Sequence, residues 1–142
     1  MIERLVSLLE EELDLMGELL DLMRVEGEVV ASLDVERIDS HLKSKGEIVN
    51  SIRRLDGERE KLLDEMGMKG KTLKEVAGEV DGESRERLLK LASEFQEKLR
   101  EICELNRLNS MLIEKSLLYV SSSFKFLENF GITPKGRVCL EA

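Results

Sequence analysis

Read for apolar side chains recurring in alternating steps of three and four, the chain divides into long amphipathic segments. The longest runs from Ser84 to Phe130. Leu88, Ala92, Phe95, Leu99 and Ile102 begin its heptad, Asn106, Asn109 and Ile113 continue it, and Leu127 and Phe130 close it, with no proline or glycine between. That pattern predicts one uninterrupted helix over 84–130, roughly 70 Å long at 1.5 Å per residue. A compact domain of this chain length has a radius of gyration of only about 14–15 Å. The molecule is therefore expected to be elongated.

Beside that seam a second stripe appears from Leu105 onward: Leu105, Leu108, Leu112, Tyr119 and Phe126. Leu117 and Phe124 add a third row, so the segment from Leu112 to Phe130 is apolar on most sides. A solvated helix is not built that way. Either the rest of the chain or a partner covers it.

A first helix is predicted over 2–33. Its main stripe passes through Ile2, Val6, Leu9, Leu13, Met16 and Leu20, and a second, interrupted by Glu12 and Glu26, lies alongside. Two stripes suit a helix with two neighbours. Asp34 is a good cap for a second helix over 34–66. There Val35, Ile38, Leu42, Val49, Ile52, Leu63 and Met66 form a seam broken by Lys45, Asp56 and Arg59. Buried charges are costly unless paired, and a solvated edge is the simplest place for these three. Gly67 to Lys71 breaks the chain. Thr72 with Glu75 forms a capping box for a short helix over 72–80. After Gly131 the tail 131–142, with the one proline, reads as a turn and a loose end.

The expected architecture is all-α, with the 142 residues forming one elongated antiparallel bundle of three long helices and a short connecting helix, packed like a coiled coil. Composition agrees: 37% of residues are charged, 4% aromatic, and tryptophan is absent, which suits a bundle and not a sandwich or barrel. A net charge of −8 argues against nucleic acid and against anionic membrane surfaces as partners. No uncharged run approaches the ~20 residues of a membrane span. The first residues begin an acidic amphipathic helix unlike a signal peptide. With Cys103 and Cys139 far apart, the chain reads as cytoplasmic and without a structural disulfide.

The residues offer little chemistry. His41 is the sole histidine, which leaves no nucleophile–histidine set and no HExxH pair. No metal site or cofactor is expected, because two distant cysteines and one histidine make a poor ligand set. Gly67-Met-Lys-Gly-Lys-Thr72 lacks the spacing of a phosphate loop. His41-Leu-Lys-Ser-Lys-Gly46 resembles a histidine phosphotransfer site, but its lysines fall at +2 and +4 and its glycine at +5, instead of lysine at +3 and glycine at +4. An ordinary surface histidine is the simpler account. Cys103 reads as a small apolar filler at the seam's edge.

Asn106 and Asn109 occupy consecutive seam positions where leucine would be more stabilising. They form either a polar layer that sets register or a surface that hydrogen-bonds a partner. The run Leu105-Asn-Arg-Leu-Asn-Ser-Met-Leu-Ile-Glu114 resembles the Asn-x-x-Asn-x-x-Leu-(Leu/Ile)-Glu segment of FlgN-type flagellar export chaperones. Lys45 followed by Ile48, Val49, Ile52 and Leu55 is similar to that family's lysine-then-leucines pattern. Phe130-Gly131 with Gly136 resembles its aromatic-glycine turn, with phenylalanine for the usual tyrosine. The resemblance implies a cytoplasmic, non-enzymatic chaperone that holds the amphipathic C-terminal helices of hook-associated proteins, prevents premature polymerisation and delivers them to the export gate. Leu105, Asn106, Leu108, Asn109, Leu112, Tyr119 and Phe126 would contact the client, and Phe130 and Gly131 the gate. Two other readings stay open: phosphotransfer through His41, and a coiled-coil adaptor that self-associates as a homodimer.

Overall fold

The computed structural model describes residues 1–129, with side chains complete to Lys115 and, beyond it, those of Leu118, Ser122 and Lys125. Four helices follow in order: α1 (Ile2–Ala31), α2 (Val35–Glu65), α3 (Leu73–Gly78) and α4 (Gly82–Asn129). The all-α bundle expected from periodicity is what forms. The tail 131–142 lies outside the described residues.

Short-range chemistry sets the breaks. At the end of α1, Ser32 donates its hydroxyl to the Val29 carbonyl at 2.6 Å. Leu33 then turns the chain with φ 55°, a left-handed conformation uncommon for a bulky side chain. The Asp34 carboxylate accepts the Arg37 N–H at 3.2 Å and caps α2. A link this short returns α2 antiparallel to α1. After α2, Gly67 and Gly70 both take positive φ, which glycine adopts at little cost. Thr72 accepts the Glu75 N–H at 3.2 Å, so α3 begins at the predicted cap.

The helices run up, down, up. Arg4 pairs with Glu58 and Glu26 with Lys45, the antiparallel sense for α1 and α2. Arg87 pairs with Glu10 and Arg24 with Glu101, which sets α4 parallel to α1. The shared core gathers Leu5, Leu8 and Leu9 of α1, Leu55 and Leu62 of α2, Val76 and Ala77 of α3, and Leu88, Leu91 and Phe95 of α4. α3 packs on α4 and closes that end. α1 packs against both α2 and α4, whereas α2 and α4 do not pack backbone to backbone anywhere among the described residues. α1 is thus the central helix, which explains its two apolar stripes.

This arrangement corrects the expected seam of α4. Leu99 is 52% exposed, and Asn106 and Ile113 are also exposed. The row facing α1 is Leu88, Leu91, Phe95, Lys98, Ile102, Leu105 and Asn109, each buried or half-buried. The two heptad phases share Leu88, Phe95, Ile102 and Asn109. They differ in the intervening positions, and α1 takes the phase of Leu91 and Leu105. Cys103, expected as a filler, is exposed and unbridged.

Candidate functional site

The charges that interrupt the apolar stripes are joined across helices. Glu26 of α1, 5% exposed, accepts Lys45 Nζ at 2.8 Å and faces His41 Nε2 at 3.3 Å, both from α2. Its other oxygen accepts Asn109 Nδ2 of α4 at 2.8 Å, and the same amide donates to the Met23 carbonyl at 2.9 Å. Burial pushes the Glu26 carboxyl up. The bond and charge of Lys45, with the bonds from His41 and Asn109, outweigh that and hold it below its ordinary value. Lys45 is therefore tied to α1 and does not lie on a solvated edge. His41 is no surface histidine: it is buried against Glu26, whereas a phosphoryl acceptor needs an open ring nitrogen.

Glu12 forms a second cluster, two heptads earlier on α1. Arg59 of α2 donates to Glu12 Oε2 at 3.2 Å, pairs with Asp56, and lies 5.8 Å from the centroid of the Phe95 ring on α4. The expectation of a solvated edge is corrected in the same way for Arg59, whereas Asp56, its side chain 44% exposed and paired along its own helix, does lie at such an edge. Glu12 is 2% exposed, and its Oε1 has no hydrogen-bond partner among the described residues. Burial raises its pKa to about 7, Arg59 opposes the rise, and Asp56 adds to it.

Among the described residues two apolar surfaces stand open, on opposite sides of α4. The first is a stripe in its C-terminal half, where Leu108, Met111, Leu112 and Leu118 are all exposed. Spacings of three, four and six residues place them within one broad face. Of the sequence-derived client residues, Leu108 and Leu112 belong to this stripe. Leu105 is half-buried toward α1, Asn106 is exposed, and Asn109 is an interior strut between α1 and α4. The expected client role of Asn109 is corrected accordingly, because its amide is used inside the bundle. The side chains of Tyr119 and Phe126, and Phe130 and Gly131 altogether, lie outside what is described. Met111 was missed by the heptad reading; its signal was its place three residues after Leu108. Leu112 also approaches α1: a Cβ on Gly27 would lie 3.0 Å from Leu112 Cδ1, which suits glycine at that crossing.

The second surface is a trough between α2 and α4, floored by Glu12, Met16 and Leu19 of α1, with a volume of about 1350 Å³. Val49 and Ile52 line one wall, and Phe95, Leu99 and Ile102 the other. Among the described residues no three acidic, histidine or cysteine side chains could hold a metal ion, and no helix is long and apolar enough to cross a membrane.

The described residues thus form a bundle of long helices, tied together by interior charges and leaving apolar surface open on α4. The family model described as FlgN protein matches residues 1–129, and the chain belongs to that family of flagellar export chaperones. No curated protein and no solved structure matches it.

Proposed function

We propose that this chaperone serves hook-associated proteins. It holds their amphipathic C-terminal helices in the cytoplasm, keeps them from polymerising early, and brings them to the export gate. The observation that carries the reading is the exposed stripe of α4. Leu108, Met111 and Leu112 stand in the solvent on a helix whose family acts on export substrates, and an amphipathic client helix would cover them. Leu105, Tyr119 and Phe126 extend the same contact, Asn106, one heptad beyond Leu99, lies on the other side of α4, and Phe130 with Gly131 reaches the gate.

The test is Leu108→Ala combined with Met111→Ala, assayed against a full-length hook-associated protein from the same genome. Both side chains are exposed, so the unfolding midpoint should hardly move, since alanine favours helix. Each lost anchor is worth about 1–2 kcal/mol, so affinity should fall roughly tenfold to several hundredfold. A variant that folds and binds like the wild type removes the stripe from the client site.

A further inference from the structure

The trough between α2 and α4 lies outside the stripe just assigned. Leu108 is nine residues beyond Leu99, two and a half turns of helix, and so faces the opposite side of α4. Helices pack in pairs at 8–10 Å, yet α2 and α4 share only α1 as a neighbour. The space between them is the place a fourth helix would occupy. A helix with side chains is about 10 Å across, so a volume of about 1350 Å³ corresponds to about three turns. Drug-sized ligands fill about 300–1,000 Å³; this opening is larger and longer.

Its chemistry specifies the occupant. Apolar walls of Ile52, Val49, Phe95 and Leu99 require an apolar face. Around them stand six cationic side chains against four carboxylates, in a chain whose net charge is −8. Arg53, Lys61, Lys69 and Lys74 make no ion pair among the described residues, and the last three lie at or near the connection from α2 to α3. The trough is thus a locally basic surface on an acidic molecule, and it steers acidic segments toward itself.

We propose that this trough is a second docking site, which takes an amphipathic helix of the client, apolar on one face and carrying carboxylates at the end nearest Lys69 and Lys74. The inference rests on the chaperone reading for the source of that helix. The docked helix completes a four-helix arrangement around α1 and covers Leu99, a leucine that stands half in water beside the row facing α1.

The experiment uses the full chain and the full-length hook-associated protein, with affinity measured at 50 and 300 mM NaCl. Leu99→Asp and the pair Lys69→Glu/Lys74→Glu all alter exposed side chains. Leu99→Asp should weaken binding at least tenfold at both salts. The charge reversal should weaken it at least fivefold at 50 mM and much less at 300 mM. Should Leu99→Asp itself lower the melting temperature, the charge-reversal pair decides alone. If both variants bind like the wild type while Leu108→Ala/Met111→Ala binds poorly, the trough is not a site and the chaperone reading stands. If the wild type binds no hook-associated protein, the chaperone reading fails and the trough loses its occupant with it.

Discussion

Replacing Glu12 by glutamine should make the protein more stable, and by an amount that depends on pH. Glu12 is buried with one oxygen unpartnered, and its pKa is raised from 4.5 to about 7. A raised acid binds more protons folded than unfolded, so wild-type stability falls as pH climbs from about 4.5 to about 7 and is flat beyond. At about 1.4 kcal/mol per pH unit, that rise amounts to on the order of 3 kcal/mol at pH 8. Glutamine keeps the shape and can still accept from Arg59, but carries no charge to desolvate. Below pH 4.5 the wild-type side chain is protonated in both states, and the two proteins should match. Urea unfolding of both at pH 4, 6 and 8 reads the difference directly. A gap that is constant across pH, or of opposite sign at pH 8, would refute the account of Glu12 as a buried and poorly compensated acid.

Lys45→Met should act in the opposite sense. It removes the strongest partner of buried Glu26, whose lowered pKa stabilises the fold above the unfolded value near 4.5 and ceases to as pH falls through the folded value. The loss should be about 2–3 kcal/mol at pH 7 and shrink in acid, measurable by the same urea titrations. His41→Ala should cost about 1–3 kcal/mol through a lost contact and a small void, and the wild type should take up no phosphate from a phosphorylated response regulator. Gly17→Ala should stabilise by about 0.5–1 kcal/mol in thermal melts, because a Cβ there meets nothing within 4 Å and alanine is the better helix former.

Helix positions and the cap at Thr72 were legible because each depends on residues within a few positions of one another. The neighbours of each face were not. Leu88, Phe95 and Ile102 belong to both heptad phases of α4, so periodicity could not say whether Leu91 or Leu99 points at α1; that depends on α2 leaving one side of α4 open. Glu12, Glu26, Lys45 and Arg59 each looked like an isolated fault in one helix. Their pairing is a property of how two helices lie side by side, and a single stripe carries no record of it. Asn109 is the same case: the sequence singled it out as polar in a seam, but only Glu26 and Met23, more than eighty residues away, decide that it bonds inward.

Those pairs also answer a difficulty inherent in leucine-rich helices, which can slide past one another and still bury leucine against leucine. Glu12 meets Arg59, and Glu26 meets Lys45; in both pairs the residue numbers add to the same total, as two rungs of one antiparallel ladder must. Slide α2 by one heptad in one direction, and Glu12 comes to face Met66 and Glu26 to face Ile52. Slide it the other way, and they face Ile52 and Ile38. Either misfit strands two carboxylates among apolar side chains, at a cost of several kcal/mol each if they remain charged. Only one alignment of the hairpin gives both acids a cationic partner. The small net worth of the Glu12–Arg59 pair in the native fold is then no objection to its presence, because much of its effect falls on the competing alignments.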